Sequence, residues 1–289
     1  MSGTSGALAG PAAGYRPGRT LPWRVEALRQ LRRGRTLAVL GGFALLPWVL
    51  VAAFMINGSN GRTDSLPSFL DVATGGGVNF AVFTLLVSAN FLLVVSTALF
   101  CGDTVAGEAQ WSTLKYLLAA PVPRWRLLRQ KLTVALAYGA VAVVLLVGMA
   151  LLAGTLVWGW NPLTLPAGGT QLSAGLALER LAVSVGYVAV LLLVVAALAF
   201  WLSTRTDSPL GAVGGAVMLV IVTNILGQVS ALGDWRQVLP LYRMSAYLTL
   251  FQPEPAWEEL LRGMAVAVSY ALVLGALAFR GFRDKDVVS

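Results

Sequence analysis

The sequence predicts an all-α membrane protein with six transmembrane helices, and three observations support this class. Of the 289 residues, 57% are hydrophobic and only 12% are charged, which is about half the charged fraction of a typical soluble domain. The mean hydropathy is +0.75. Long charge-free stretches alternate with segments rich in arginine. These features exclude a soluble globular enzyme, a disordered protein and a fibrous protein.

Six stretches contain no Asp, Glu, Lys or Arg and approach or reach the length of about 20 residues that crosses a hydrocarbon core. They are residues 37–56, 78–101, 132–158, 181–202, 210–229 and 263–279. None has the polar stripe that a buried soluble helix of this length would show. They predict spans one to six of a single domain, residues 37–280.

The distribution of positive charge predicts the orientation of the spans. Of the 21 Lys and Arg residues, all but five lie before span one, between spans two and three, between spans four and five, or after span six. The five others are Arg62, Arg180, Arg236, Arg243 and Arg262. Because positive loops stay inside, we expect both termini in the cytoplasm, including a short tail of residues 281–289. Most of the net charge of +8 would then face anionic lipid rather than nucleic acid.

Two segments precede span one. Residues 1–20 are rich in Gly, Ala, Ser and Pro and predict a flexible tail. Residues 21–36 begin LPWRVEALRQLRRGR, in which Pro22 suits a first helical turn and the apolar residues recur near helical spacing. This pattern favours a basic amphipathic helix on the inner leaflet. The alternative is a basic flank that only fixes topology.

The last outer segment, residues 230–262, is too apolar for a simple solvent loop. Its Trp and Tyr residues are typical of membrane interfaces. Pro255 followed by Glu258 and Glu259 predicts a short helix with acids in its first turn. We expect interfacial or re-entrant helices here, and a plain aromatic belt is the alternative.

The loop after span two, residues 103–131, predicts a short helix beneath the membrane. Glu108, Trp111 and Lys115 recur at helical spacing, and Pro121 with Pro123 ends the helix. Its apolar residues need a partner surface, either lipid or protein.

This loop resembles that of the type-2 ATP-binding-cassette (ABC) transporter permeases. The shared pattern is an acid, Thr-Leu, Leu-Leu, Pro, Arg and Lys, which here reads Asp103 and Glu108, Thr113-Leu114, Leu117-Leu118, Pro121, Arg124 and Lys131. The six-span layout, the amphipathic helix before span one and the structured outer segment are similar as well. The resemblance therefore covers the chain from Leu21 onward.

The resemblance implies that the loop helix is a coupling helix, which enters a groove of an ATP-binding subunit and receives the closure of that subunit. The residues expected to make this contact are Asp103, Glu108, Trp111, Thr113, Leu114, Leu117, Leu118 and Arg124. Glu108 would supply a polar or ionic contact and the apolar residues the packing. The alternative is a solvated loop whose basic residues only fix topology.

The residues that are missing restrict the chemistry. The sequence has no histidine and one cysteine, Cys101, so His-based metal sites, catalytic triads and internal disulfides are excluded, and we expect no metal site and no catalytic residue. None of the three lysines stands in a phosphate-binding loop. We therefore expect no cofactor in this chain, with ATP and Mg bound by a partner subunit. The charge-free spans favour an external energy source over an ion gradient.

Polar residues within the spans are candidates for a substrate path: Asn90, Ser96, Thr97, Thr223 and Asn224. In the family this path lies at the dimer interface, lined by spans two and five. Hydrogen bonding between helices is the alternative role, worth about 0.6 kcal/mol for each residue.

These expectations combine into one functional prediction. The chain would be the permease subunit of an ATP-driven exporter in the cell membrane, paired with itself or a related permease and with two ATP-binding subunits. Its cargo would be hydrophobic or amphipathic, because the spans offer few polar groups. The alternatives are a stand-alone secondary carrier or channel, and a membrane assembly protein that transports nothing.

Overall fold

The computed structural model describes residues 22–58, 73–110, 123–164 and 171–283, and these residues form an all-α chain with one two-residue strand pair. The α-helices are α1 (Trp23–Leu31), α2 (Gly34–Gly58), α3 (Gly77–Ala89), α4 (Leu92–Gln110), α5 (Arg124–Trp158), α6 (Ala174–Arg205), α7 (Pro209–Gln228) and α8 (Trp257–Arg283). The 3-10 helices are η1 (Ser230–Val238) and η2 (Met244–Phe251), and strand β1 (Leu163–Thr164) pairs with antiparallel β2 (Gln171–Leu172).

Six of the described helices are long and apolar enough to cross a membrane: α2, α4, α5, α6, α7 and α8. This confirms the predicted all-α class and the number of membrane-length helices. Of the 18 most apolar consecutive residues of α4, 72% are buried, whereas the corresponding share is 17% in α2 and in α8. The helix α4 therefore lies at the centre of the bundle, with α2 and α8 at its periphery.

The second predicted span, residues 78–101, is two helices rather than one. It is interrupted at Asn90 and Phe91, between α3 and α4. The two halves pack against different neighbours, α3 mainly against α5 and α4 mainly against α6 and α7. Glycine allows one of these contacts, because a Cβ on Gly102 of α4 would lie 2.8 Å from Cγ2 of Val213 in α7. The segment contains neither a proline nor a glycine at the break, and the interruption coincides with the change of packing partners.

Several helices extend beyond the predicted spans. The helix α4 continues to Gln110 and α5 begins at Arg124, so most of the predicted loop 103–131 is helical. A charge-free stretch ends at the first charged residue, whereas an α-helix continues through charged residues without cost to its backbone. Only residues 111–122 of this loop lie outside the described part of the chain.

Both described ends of the chain lie at the same end of the bundle, which we call the α1 end. Ser203 of α6 contacts the backbone of α4 at Val105 and Ala106. A Cβ on Gly281 of α8 would lie 3.1 Å from Nε of Arg205 at the end of α6. The last residues of α6 and α8 and the last turns of α4 therefore meet at one level.

The segment 230–262 packs onto the opposite end of the bundle. Arg180 of α6 donates hydrogen bonds to the carbonyl oxygens of Leu250 (2.6 Å) and Gln252 (2.7 Å), and Tyr187 donates to the carbonyl oxygen of Arg243 (2.7 Å). Its helices η1 and η2 are 3-10 helices, and η1 is divided at Gly233, whose φ of 52° is in the left-handed region. The separate short helix predicted after Pro255 is wrong: Glu258 and Glu259 belong to the first turn of α8 itself.

Candidate functional site

A cluster of charged side chains at the α1 end joins four helices and is the most distinctive site in the described residues. We call it the ionic cluster, and its members are Glu26, Arg29, Arg33, Arg35, Asp103, Glu108 and Lys131. Glu26 and Arg29 lie in α1, Arg33 in the junction between α1 and α2, Arg35 in α2, Asp103 and Glu108 in α4, and Lys131 in α5. Three carboxylates face four cations, so the cluster is close to electrically neutral.

Lys131 lies at the centre of the ionic cluster. Its Nζ atom is 3.3 Å from Oε1 of Glu26 and also donates a hydrogen bond to Oε1 of Glu108. The Lys131 and Glu26 side chains are each 1% exposed and that of Glu108 is 4% exposed. Charges removed from water to this extent are stable only while they are paired. Each member of this triad therefore depends on the other two.

Arg29 closes the exposed side of the triad. Its Nη2 atom is 3.1 Å from Oε2 of Glu26 and also forms an ion pair with Glu108. Gln30, one residue further along α1, donates a hydrogen bond from Nε2 to Glu26. The Arg29 side chain is 40% exposed, so the buried triad meets its surroundings through this residue.

Asp103 forms the second part of the ionic cluster. Its two carboxylate oxygens accept hydrogen bonds from Nη1 of Arg33 and Nη1 of Arg35, each at 2.7 Å. Gly107 lies one turn along α4, and a Cβ there would be 2.6 Å from Oδ1 of Asp103. The glycine thus leaves room for the carboxylate to lie against its own helix and to reach the α1–α2 junction.

The pKa of Glu26 follows from this environment. Burial raises the pKa, but the positive charges of Lys131 and Arg29 and the hydrogen bonds from Gln30 and Lys131 outweigh burial. The net result is a pKa below the ordinary value of 4.5. Glu26 is therefore ionised at neutral pH, as its pairing with Lys131 requires.

The backbone of α4 is fixed at the level of the cluster by α6. Ser203 Oγ accepts hydrogen bonds from the amide N–H groups of Val105 (3.1 Å) and Ala106 (2.9 Å). Thr104 Oγ1 donates to the carbonyl oxygen of Cys101 at 2.6 Å. These bonds hold the last turns of α4 where Asp103 and Glu108 can reach their partners.

The structure changes the interpretation of the predicted coupling residues. Glu108 and Asp103 are not surface residues awaiting a partner, because both are engaged by cations of their own chain and Glu108 is buried. Their direct contact with an ATP-binding subunit stays a prediction. Arg124 is exposed at the start of α5. The remaining predicted contacts lie outside the described residues: Trp111, Thr113, Leu114, Leu117 and Leu118.

The five predicted path residues are not brought together in one chain. Thr97 lines an apolar groove of about 290 Å³ between α4, α5 and α6. Ser96 donates to the carbonyl oxygen of Leu93 within its own helix. Thr223 of α7 likewise donates to Leu219, and Asn224 lies beside it, away from the groove. Asn90 is exposed at the break between α3 and α4.

The sequence pattern places Arg29, Arg33 and Arg35 in a basic amphipathic helix or topogenic flank and Lys131 in the motif shared with the permeases, and it gives no role to Glu26. One signal is present: Glu26 is the single acid among the five arginines of residues 21–35. A lone acid in a basic helix predicts an ion pair, but its partner on α5 is 105 residues away. Nothing in the local pattern identifies that partner.

Taken together, the six apolar helices and the ionic cluster at one end define a multi-pass helical membrane protein. Residues 46–288 match the family described as a protein of unknown function (DUF2705), and the chain belongs to that family. A relative from Bacillus subtilis (strain 168), described as the uncharacterized protein YhcI, is 26% identical over 216 residues. That alignment covers 70% of this chain and 67% of the relative.

Proposed function

We propose that this chain is the permease subunit of an ATP-driven ABC transporter, which exports a hydrophobic or amphipathic substrate across the cell membrane. The resemblance of residues 103–131 to the coupling loop of type-2 permeases supports the proposal. In this arrangement both termini and the α1 end are cytoplasmic, in keeping with the positive charge at that end. The helix α1 lies at the membrane interface.

One observation carries the mechanical part of the proposal. The ion pair between Glu108 and Lys131 joins the last turn of α4 to the first turns of α5, on either side of residues 111–122. A force on that loop therefore moves α4 and α5 together. Because Glu108 and Lys131 also contact α1, the movement reaches three helices at once. In this revised role residues 111–122 contact the ATP-binding subunit, and the ionic cluster transmits the resulting force to the helices.

A second permease chain completes the proposed transporter. The break in span two exposes Asn90 in the middle of the segment formed by α3 and α4. Exposed polar groups and interrupted helical backbone are not tolerated against lipid tails, but they are tolerated against protein or a water-filled path. A second copy or a related permease packed there would cover Asn90 and place it beside the substrate path.

The nucleotide chemistry belongs to the partner in this proposal. Two ATP-binding subunits would bind ATP and Mg, and this chain would contribute no catalytic residue. Closure of those subunits would press on residues 111–122 and open an outward path between the two permease chains.

The experiment that tests the proposal combines co-purification with transport. The chain is co-expressed with a candidate ATP-binding subunit that carries a phosphate-binding loop, and the pair is reconstituted into vesicles. We expect a stable complex, ATP-dependent accumulation of a hydrophobic dye, and loss of both in the double variant W111A/L114A. The variant W235A is the matched control, because Trp235 is 77% exposed at the opposite end of the bundle. Dye transport by this chain alone would overturn the proposal.

A stand-alone carrier is the second candidate, and one observation favours it. Glu108 and Lys131 are buried ionisable residues in two of the membrane-length helices, and such residues often form proton or ion relays. The same vesicles distinguish the two functions, because a carrier would respond to an imposed pH gradient without ATP or a second polypeptide.

A further inference from the structure

The helix α1 packs on the bundle through polar side chains, which is the reverse of an ordinary surface helix. Its buried residues are Glu26 and Gln30. Glu26 pairs with Lys131 of α5. The backbone carbonyl of Ala27 accepts a hydrogen bond from Tyr138 Oη, also in α5, at 2.7 Å. The apolar stripe of a soluble surface helix would face the protein core. Here the apolar residues are the exposed ones.

The outward face of α1 combines exposed apolar residues with arginines. Trp23, Val25, Leu28 and Leu31 are 48%, 55%, 48% and 37% exposed. Arg24 and Arg32 are exposed on the same helix or directly after it. The acid of this segment, Glu26, is buried and paired with Lys131 and Arg29. The exposed charge around the apolar residues is thus entirely positive.

The depth of α1 in the bundle identifies what covers this face. The helix contacts α5 between Lys131 and Tyr138, and the charge-free stretch of α5 begins at residue 132. Its level is therefore the boundary between the polar and the apolar part of a span, where lipid headgroups lie. Apolar side chains would enter the acyl boundary while arginines reach phosphates.

We propose that the outward face of α1 (Trp23, Arg24, Val25, Leu28, Leu31 and Arg32) is a binding surface for anionic phospholipid. The positive rim selects anionic over zwitterionic headgroups, and the apolar residues fix the depth. Arg29 lies between this face and the ionic cluster, so the bound lipid adjoins the contacts that hold α1 to α4 and α5. The inference does not depend on the transport proposal and would stand for a carrier as well.

Quenching of tryptophan fluorescence by brominated lipid tests the proposal on the full chain. The chain is reconstituted with brominated phosphatidylglycerol or brominated phosphatidylcholine. The difference between wild type and W23F isolates Trp23 among the nine tryptophans. We expect the Trp23 signal to be quenched at lower mole fractions of phosphatidylglycerol. The double variant R24Q/R32Q should lose this preference, by about fivefold for each arginine.

Two further variants separate specific binding from general attraction or misfolding. R24K/R32K keeps both charges and should keep the preference. R280Q removes an exposed arginine from the same end of the bundle on α8 and should also keep it. Equal quenching by the two lipids, or an equal effect of R280Q and R24Q/R32Q, would overturn the proposal. So would a Trp23 that neither lipid quenches, since a protein partner would then cover α1.

Discussion

Nζ of Lys131, in α5, lies 3.3 Å from Oε1 of Glu26, in α1, and both side chains are 1% exposed. Glu108 completes the triad from α4. The contact between Lys131 and Glu26 fixes α1, which is otherwise attached to the bundle by few apolar contacts. The stability of the α1 end therefore depends on keeping three ionised groups paired where water is excluded.

Removing the central cation should be strongly destabilising. In K131M two buried carboxylates lose their buried partner and keep only the half-exposed Arg29, and breaking a buried ion pair from one side costs about 3–5 kcal/mol. Thermal unfolding of the purified protein measures the change. The control is R262A, which breaks the exposed pair between Arg262 and Glu258 in α8 and should change stability by less than about 1 kcal/mol.

The double variant E26Q/K131M gives the sharper version of the same test. With one acid neutralised together with the cation, fewer uncompensated charges remain buried. We expect it to be more stable than K131M alone. If the double variant loses the sum of the two single losses, the two residues are not energetically coupled.

The pH dependence of stability follows from Glu26. Its pKa in the folded chain is below the ordinary value of 4.5, so its contribution to stability is fully present above that ordinary value. It is lost as the pH falls through the lower, folded pKa. Unfolding temperatures measured downward from pH 6 should therefore fall steeply below about pH 4.5. In E26Q this part of the fall should be smaller, whereas an unchanged profile would exclude Glu26 as its source.

How much of this arrangement the sequence could predict depends on how local each feature is. Five of the six membrane-length helices were predictable, because a charge-free length of about 20 residues is a local property. The helix α4 was not, since it carries Asp103 and Glu108. The interruption at Asn90 was not predictable either, since it coincides with a change of packing partners between α3 and α4. The partners of Glu26 and Asp103 were not predictable either, because Lys131 is 105 residues from Glu26 and Arg33 is 70 residues from Asp103.

Ser203 should matter more than its neutral side chain suggests. In S203A the amide groups of Val105 and Ala106 lose the hydroxyl that accepts their hydrogen bonds. Losing a buried hydrogen bond costs about 0.5–1.5 kcal/mol. Faster hydrogen exchange at these two amides, together with a lower unfolding temperature, would be the expected result. S269A is a suitable control, because Ser269 is exposed and bonds only to its own helix.

Gly102 permits the close approach of α4 and α7. In G102A the new Cβ would lie 2.8 Å from Cγ2 and 3.3 Å from the backbone nitrogen of Val213. Overpacking of this kind costs about 1–3 kcal/mol, and thermal unfolding should detect it. G214A adds the same methyl group to α7 where nothing lies within 4 Å, so it should be neutral or slightly stabilising. Equal effects of the two variants would argue against a packing role for Gly102.

The groove beside Thr97 offers a test of the proposed substrate path. It is formed by small residues of α5 and α6, among them Gly139, where a Cβ would have no atom within 4 Å. In G139F an aromatic ring would fill the groove and exclude a hydrophobic substrate. If the groove belongs to the path, the apparent affinity for a dye that stimulates ATP hydrolysis should fall at least about fivefold, since steric overlap costs about 1–3 kcal/mol. Gly148 of α5 is exposed, equally open and outside the groove, so G148F should leave the affinity unchanged. A G139F protein with wild-type affinity would place the path elsewhere, for example beside Asn90 at the proposed interface between two permease chains.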